Sequence, residues 1–538
     1  MNPNTESSKA ENVDGRMRLL EMIVVSKNES RGSVTVVESK TLMSRASEVC
    51  SEVKLKLASL TGGNGLKARV FRGGAWLGAG SVSEQAVRFL RNMILARLLA
   101  PSAFGTMAIV MSAGALLQAF TEIGVREALI QNPKGGEDEY VNAAWWMALG
   151  RALSIYWILF AVAPWVAKFY GNSQLTPLLR VATVSLVLEG AISARAYIAM
   201  KDMKFSRWAG INHGGGILGV LITVILGFVL RDVWALVIGT CAESGARCVL
   251  SYIICPSVPS FKLDRAALRH LFHFSRGLFG LAPLVIIYMR MDVFVLGKLI
   301  PATALGYYSL GVAVAQVPAG FISNLLAQLL MPALSHVQGD QERTRRIVMQ
   351  VTGAVMLLAL PAVVFAYFCG QSVLTLIYGQ RYAVASGPLF FAACCALIAF
   401  VNNQITVTFY AAGNPKLHRL CVVMMAVVMM VLAYPLARWL GPTGGQVASF
   451  IAITVGFLIQ LNRARHLIGV KLSDYGALLL KGAGVSAIVV GICLVVRQIT
   501  VLARPIPIVA LGLFGCLLAY SVAGWMLMRN HDLARDYV

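Results

Sequence analysis

Apolar runs long enough to cross a lipid bilayer follow one another from about residue 73 to residue 528, with short polar breaks between them. Clear cases are LGVLITVILGFVL (218–230), VMLLALPAVVFAYFCG (355–370), VVMMAVVMMVLAYPLA (422–437) and IPIVALGLFGCLLAYSVAGWMLM (506–528). A helix needs about 20 apolar residues to cross the bilayer core, and runs without polar alternation favour helices over barrel strands. Charged residues make up only 13% of the chain, about half the share in a soluble domain. The sequence therefore predicts an all-α polytopic membrane protein.

Fourteen transmembrane helices are predicted, and the first is the most polar of them. Their centres lie near residues 86, 117, 155, 188, 220, 245, 285, 318, 358, 396, 428, 452, 488 and 517. Glu84, Arg88, Arg91 and Asn92 interrupt the first helix. Without it the count is thirteen, and the N-terminus changes side.

Lys and Arg residues test this count, because cytoplasmic loops of membrane proteins carry an excess of them. With fourteen helices and the N-terminus inside, the predicted inner segments hold 20 of these residues and the outer ends hold 8. The asymmetry predicts that both termini are cytoplasmic. It also accounts for much of the +22 net charge, which we interpret as an orientation signal facing anionic lipid. We predict no nucleic-acid partner.

One sequence motif occurs twice, 201 residues apart. Residues 94–105 read ILARLLAPSAFG and residues 295–306 read VLGKLIPATALG, with Arg97 and Lys298 at equivalent positions. A chance likeness between two membrane hairpins is the alternative. Because internal repeats reveal architecture, we interpret the match as a duplication of helices.

A second match pairs AYIAMKDMKFSR (196–207) with TFYAAGNPKLHR (408–419), so the repeat extends from helices one to four onto helices seven to ten. Six helices per copy is an even number, so the copies share one orientation and form parallel repeats, with the substrate site expected between them. The predicted parts are a disordered cytoplasmic tail (1–66), an N-lobe (73–256), a C-lobe (270–467), two further helices (476–528) and a cytoplasmic C-terminus (529–538).

The tail is rich in Ser, Glu, Lys and Asn, a composition typical of disorder. Its alternative explanation is a start codon placed too early, with Met43 as the true start. We place no function in this segment.

The sequence pattern offers no site for a cofactor, a metal or nucleotide hydrolysis. The ten cysteines form neither a CxxC motif nor a cluster with histidine. No GxxxxGK(S/T) loop occurs, and no set of nucleophile, base and orienting residue stands out. The polar breaks are too short for an extramembrane catalytic domain. We therefore predict a transport protein and not an enzyme.

Three segments carry a resemblance to a known family: SVSEQAVRFLRNMILARLLAPSAFGTMAIV (81–110), RMDVFVLGKLIPATALGYYSLGVAVAQVP (290–318) and LMPALSHVQGDQERTRR (330–346). The chain resembles the polysaccharide flippases of the multidrug/oligosaccharidyl-lipid/polysaccharide superfamily, in the Wzx/WzxC-like branch. The long N-terminal tail departs from that family.

The resemblance implies alternating access by two six-helix lobes. The implied cargo is an oligosaccharide repeat unit on undecaprenyl pyrophosphate, moved from the inner to the outer leaflet of a bacterial inner membrane for exopolysaccharide or lipopolysaccharide synthesis. The implied partners are membrane lipids, together with a polysaccharide polymerase and glycosyltransferases of the same pathway.

Ionisable residues at membrane depth are candidate functional residues, because a charge there is costly unless it faces a cavity or a partner. Arginine suits a pyrophosphate, because its planar guanidinium group stays charged and can donate hydrogen bonds to two oxygens at once. The predicted pyrophosphate or cavity residues are Arg88, Arg91, Arg151, Arg276 and Arg290. The predicted ion-coupling or arginine-orienting residues are Glu84, Glu122 and Asp292.

Structural roles compete with these assignments. Glu122 with Arg126, and Glu243 with Arg247, are spaced by four and can neutralise each other on one helix. We expect Asp292 to orient an arginine rather than to carry a proton.

Two further assignments stay open at this stage. Arg88, Arg91 and Arg290 can either line a cavity or form salt bridges between the lobes. His213, beside three glycines, is expected to be a packed or interfacial residue rather than a proton relay.

Two other functions compete with the flippase. A multidrug or cation exporter of the same superfamily would be expected to use acidic cavity residues, whereas the membrane charges here are mostly basic. A membrane polymerase or ligase of glycan assembly would need a large outer loop. A lipid II flippase is a near relative that the motifs fit less well.

Overall fold

The computed structural model describes residues 66–121, 124–261, 264–275, 281–337, 340–498 and 505–529, which contain helices and no β-strand. The chain forms two units, Met1–Arg72 and Gly73–Val538. In the first unit the described residues, 66–72, are helical. The predicted tail at 1–66 lies almost entirely outside the described residues.

Nine helices are described in the first half of the membrane region, where the first repeat was predicted. They are α1 (Leu66–Leu98), α2 (Pro101–Phe120), α3 (Val125–Gln131), α4 (Asp138–Tyr170), α5 (Leu175–Ala182), α6 (Val184–Gly190), α7 (Arg195–Lys201), α8 (Phe205–Leu230) and α9 (Val233–Ile254). A short amphipathic helix, α10 (Arg265–Ser275), then leads towards the second half.

The second half consists of the six described helices from Leu281 to Ile468, and two further helices follow it. They are α11 (Leu281–Leu299), α12 (Ala302–His336), α13 (Gln341–Tyr378), α14 (Ser386–Ala411), α15 (Pro415–Leu440), α16 (Pro442–Ile468), α17 (Leu472–Gln498) and α18 (Pro505–Arg529). Four long helices, α2, α15, α16 and α18, carry proline at their first positions. Proline suits that place, because its ring pre-sets the helical φ and the N–H it lacks would be unpaired there.

All fourteen predicted centres fall within described helices, so the predicted all-α polytopic fold is confirmed. Among the described residues, ten helices are long and apolar enough to cross a membrane, and a bent pair (Leu175–Gly190 with Arg195–Lys201) makes eleven. The other predicted crossings coincide with α1, α11 and α12. Charge explains why α11 falls short: Arg290, Asp292 and Lys298 lie within its 19 residues.

The two copies of the repeated motif pack directly against each other where α2 and α12 begin. A Cβ on Gly105 would lie 1.9 Å from the Ala302 oxygen, and a Cβ on Gly306 would lie 1.8 Å from the Pro101 oxygen. Both pairs are related by the same 201-residue offset, so the contact is reciprocal. Glycine is required here, because only a residue without a Cβ allows the two backbones to approach this closely.

Two basic side chains cross between the halves at the same end of the bundle. Arg97 Nη2 donates to the Leu376 oxygen at 2.6 Å, and Lys298 Nζ donates to the Phe169 oxygen at 2.5 Å. Each acceptor lies in the last turn of a helix, where carbonyls lack partners within the helix and a cation is favourable. We call these two reciprocal bonds the end latch.

Candidate functional site

A cavity of about 830 Å³ lies between the two halves. Helices α1 and α2 line it from the first half, and α11, α12, α13, α14, α15 and α16 line it from the second half. Arg88, Arg91, Arg290 and Asp292 are among the lining residues. The structure thus brings four of the predicted site residues, from both halves, around one space.

The cavity runs along the bundle from the latch end towards the opposite end. Tyr378, the last residue of α13, lines it near the latch, and His418, in the first turn of α15, lines it at the other extreme. The contact of α2 with α12 closes the latch end. Access to the cavity is therefore restricted at one end of the protein.

Arg88 belongs to a group of ionisable side chains inside the first half, which we call the buried charge cluster. Arg88 Nη2 lies 2.8 Å from Glu84 Oε1 and also donates to Glu243. Arg247 lies 2.8 Å from Glu243 and 3.2 Å from Glu84. The predicted pairing of Glu243 with Arg247 is present, but Arg88 joins it from another helix.

His213 completes this cluster. Its Nδ1 lies 2.7 Å from Glu84 Oε2, so the ring donates to the carboxylate. Glu189 stands at the edge, where it accepts from Ser244 at 3.2 Å and lies 3.9 Å from Arg247. The sequence had suggested a packed or interfacial role for His213. In the structure it lies where α8 meets α1 and takes part in a polar network.

The glycines after His213 make room for the cluster on the surface of α8. A Cβ on Gly215 would lie 2.3 Å from Arg247 Cγ, and a Cβ on Gly219 would lie 2.3 Å from the Glu243 Cβ. Gly216 similarly faces Glu84, at 2.9 Å from its Oε1. The run of glycines in the sequence thus indicates that other helices approach α8 closely, and the fold shows that these helices are α9 and α1.

The cluster holds the carboxylates Glu84, Glu189 and Glu243 and the guanidiniums Arg88 and Arg247, with His213 hydrogen-bonded to Glu84. Arg88 also lines the cavity, so the cluster borders the space in which a ligand would bind.

Arg91 and Arg290 differ from Arg88 in their partners. Arg91 Nη2 contacts the neutral Asn92 side chain at 3.2 Å, and Arg290 is exposed. Neither forms an ion pair within 4.0 Å of a described carboxylate. These two arginines, one from each half, are therefore the cavity cations that remain available to an anionic ligand.

Asp292 lies in the wall of the cavity and is 6% exposed. Its carboxylate accepts hydrogen bonds from the Tyr308 hydroxyl and, at 3.2 Å, from Gln446 Nε2. No arginine or lysine within the described residues lies within 4.0 Å of it as an ion pair, but Arg290 of the same helix is within electrostatic reach. The expectation that Asp292 orients an arginine therefore stays a prediction.

Arg151 does not line this cavity. On α4 the neighbouring Ala148 and Ala152 pack against Gly190 of α6, with a Cβ on Gly190 only 2.5 Å from the Ala152 Cβ. Arg151 itself lies within electrostatic reach of Glu189. Its predicted role in pyrophosphate binding stays a prediction.

Two predicted site residues, Glu122 and Arg276, lie outside the described residues. The expected partner of Glu122, Arg126, contacts Glu127 at 2.6 Å. Within the described ranges, no group of three His, Cys, Asp or Glu side chains is placed to hold a metal ion.

Sequence reasoning missed a set of neutral polar residues in the second half. They are Asn402, Asn403, Thr406, His418, Gln446 and Ser449, and all of them line the cavity. The available signal was NNQITVT (402–408), an unusual cluster of amides inside an apolar helix.

Comparisons with known proteins agree with this architecture. The family described as "Polysaccharide biosynthesis protein" matches residues 94–387, just over half of the chain. The succinoglycan biosynthesis transport protein ExoT of Rhizobium meliloti is 23% identical over 319 residues, covering 59% of this chain and 64% of that protein. The lipopolysaccharide biosynthesis protein WzxC of Escherichia coli is 19% identical over 396 residues, covering 73% of this chain and 79% of that protein.

Among solved structures, the lipid II flippase MurJ in an inward closed conformation shares the fold. Its TM-score is 0.68 at 13% identity, with 84% of this chain and 99% of that chain covered. A multidrug transporter described as a member of the MOP superfamily, in an inward-facing conformation, gives a TM-score of 0.55 at 14% identity, with 71% of this chain and 95% of that chain covered. These two likenesses show the fold, and the family match shows that the chain belongs to the polysaccharide biosynthesis protein family.

Proposed function

We propose that this protein is a flippase that carries a lipid-linked oligosaccharide across the bacterial inner membrane for polysaccharide synthesis. The observation that carries the proposal is the cavity between the halves, which Arg91 and Arg290 both line while neither forms an ion pair within 4.0 Å of a described carboxylate. The family membership and the relatives named for polysaccharide biosynthesis support this cargo class.

The two arginines suit the pyrophosphate of an undecaprenyl-pyrophosphate carrier. Each guanidinium offers parallel N–H groups to phosphate oxygens, and a partly dry cavity strengthens the attraction. Because the two residues belong to different halves, a bound pyrophosphate would draw the halves together. Binding would then favour one arrangement of the halves over another, as alternating access requires.

The orientation follows from the distribution of Lys and Arg, which puts both termini in the cytoplasm and the end latch at the outer face. In this orientation, the cavity is closed to the outside and loads from the inner leaflet. Glycosyltransferases on the inner face would supply the cargo, and a polymerase on the outer face would consume it.

Coupling to an ion gradient is part of the proposal. Asp292 is a carboxylate in the cavity wall, and Glu84 is hydrogen-bonded to His213 in the buried charge cluster, so both are candidate ion-coupling residues. Glu122 remains a candidate on sequence grounds alone. Asp292→Asn should stop coupled export while leaving cargo binding intact. Export that persists after the proton and sodium gradients are collapsed would reject the coupling.

The decisive experiment uses a deletion strain and a membrane-impermeant glycan probe. Lipid-linked repeat units trapped on the inner leaflet, with surface polymer lost and both defects restored by the intact gene, would establish the flippase. Repeat units that reach the outer face without being polymerised would instead indicate a polymerase or ligase. Unchanged polymer and intermediates would favour the drug exporter, although the cavity charges are mainly basic.

A further inference from the structure

The two sides of the cavity differ in chemistry. The cations among its described lining residues are Arg88, Arg91 and Arg290, on α1 and α11. Helices α14, α15 and α16 contribute amides, hydroxyls and an imidazole instead, and no charged side chain from them lines the cavity within the described residues. We call the set Asn402, Asn403, Thr406 and His418 the neutral wall.

Hydrogen bonds from behind hold part of this wall in place. Gln460 Nε2 donates to Thr406 Oγ1 at 3.1 Å and to His418 Nδ1 at 3.2 Å. Gln460 is fully buried, so the three residues form a rigid support. Because Nδ1 of the neutral ring accepts a hydrogen bond, its hydrogen is on Nε2, which remains free to donate.

One residue of the neutral wall has a side-chain oxygen that lacks a hydrogen-bond partner among the described residues. Asn402 is 7% exposed, and its Oδ1 has no hydrogen-bond partner among the described residues. Tyr378, another lining residue, has a buried hydroxyl in the same condition. Buried polar atoms without partners are uncommon and costly, and a polar ligand in the cavity would relieve the cost.

The wall matches the chemistry of an uncharged sugar. Sugar hydroxyls both donate and accept hydrogen bonds, as do amides, hydroxyls and a neutral imidazole. Tyr288 and Phe400 also line the cavity and offer apolar surface to the C–H faces of a sugar ring. An acidic sugar would instead require a cation on this side of the cavity.

We propose that the neutral wall is the glycan subsite of this transporter and recognises an uncharged, hydroxyl-rich sugar next to the pyrophosphate. The inference rests on the proposed function and assigns a different part of the cargo to each side of the cavity. Arg91 and Arg290 bind the pyrophosphate of any cargo, whereas Asn402, Asn403, Thr406 and His418 distinguish one sugar from another.

The test compares two kinds of ligand on the purified full-length protein in lipid nanodiscs. The probes are undecaprenyl pyrophosphate without sugar and its derivatives with glucose, galactose or N-acetylglucosamine. The measured quantity is the gain in affinity from the sugar, that is, the ratio of the Kd without sugar to the Kd with sugar. The variants are Asn403→Ala and His418→Ala.

Gln404→Met is the matched control. Gln404 is the next residue on α14, is fully buried and makes no side-chain hydrogen bond among the described residues. Its replacement by a residue of similar shape removes no partner, so the sugar gain should not change. A fold defect caused by any change on this helix would appear here as well.

We expect the intact protein to bind at least one glycosylated probe more tightly than the bare one. Each wall variant should reduce that gain about fivefold, the effect of one lost hydrogen bond, and leave the Kd of undecaprenyl pyrophosphate unchanged. A gain that survives in both variants, or no gain with any of the three sugars, would overturn the glycan subsite while leaving the flippase standing. If the intact protein bound none of the four probes, both proposals would fail.

Discussion

Neighbouring arginines on one helix have different roles because of residues elsewhere in the chain. Arg88 and Arg91 are three positions apart on α1, and both reach the cavity. Arg88 is neutralised by Glu84 of its own helix and by Glu243, which is 155 residues away. Arg91 hydrogen-bonds the neutral Asn92 side chain and forms no ion pair within 4.0 Å of a described carboxylate. The sequence left both roles open for each arginine, and the difference between them could not be predicted.

Replacing Arg91 or Arg290 by alanine should abolish most export. Each change removes a charge-assisted hydrogen-bonding group worth about 1.5–3 kcal/mol, so cargo binding should weaken at least tenfold. The measurement is outer-leaflet repeat units and surface polymer at equal protein level. Arg126→Ala, on the exposed side of α3, is the control and should export normally. Normal export by both cavity variants would exclude a pyrophosphate role for these arginines.

Replacing Arg88 by alanine should chiefly reduce stability. Loss of one partner from this partly buried ion network leaves the remaining charges uncompensated, at a cost below the roughly 3–5 kcal/mol of a fully buried pair, because the Arg88 side chain is 29% exposed. The apparent melting temperature in detergent should fall further than for Arg91→Ala. Adding Glu243→Gln to Arg88→Ala should recover part of the loss, since it removes one uncompensated charge. Equal melting temperatures for the two single variants would contradict the cluster.

At the scale of elements, glycine positions decide which helices can approach one another. Along α8, Gly215, Gly216 and Gly219 face side chains of α9 and α1 at distances that no Cβ tolerates, whereas Gly214 meets Leu250 Cδ1 at 3.4 Å. In the sequence these glycines look alike. Their different neighbours become visible only when α8, α9 and α1 are packed together.

Gly219→Ala should therefore destabilise the protein by about 1–3 kcal/mol, the usual cost of overpacking, because the new methyl would lie 2.3 Å from the Glu243 Cβ. Gly214→Ala on the same helix is the matched control and should be neutral or slightly stabilising, since alanine favours helix. Thermal unfolding in detergent measures both. If the two variants unfolded at the same temperature, the close packing of α8 on α9 would be wrong.

At the scale of the whole molecule, the two copies of the repeat contact each other's half at the end latch. Arg97 and Lys298 are equivalent in the repeat, and each donates to the last turn of a helix in the opposite half. The paired glycines of α2 and α12 bring the halves together at the same end. In the proposed orientation, release of cargo to the outside requires these contacts to separate.

Removing the latch with Arg97→Ala and Lys298→Ala together should open the cavity to the outer face. Two lost charge-assisted hydrogen bonds should shift the balance between closed and open states by at least about tenfold. Ser309→Cys, in the cavity lining, should then react faster with an impermeant maleimide added to intact cells, after subtraction of the parent's labelling. The control is Arg438→Ala, which removes an exposed basic residue at the predicted outer side. Labelling no faster than in this control would mean that the latch does not hold the closed state.

The sequence by itself determined the helical membrane fold, the places of the fourteen predicted helices, the repeat and the cationic character of the site. These features depend on local hydrophobicity, on charge counts and on spacing along the chain, all of which are readable from neighbouring residues. The tertiary structure alone decided which arginines are neutralised, that Asp292 accepts hydrogen bonds from Tyr308 and Gln446, that Arg151 does not line the cavity, and that the neutral wall does. Each of those outcomes depends on contacts between helices far apart in sequence, such as Arg88 with Glu243, 155 residues apart, and their distances are set only when the helices pack.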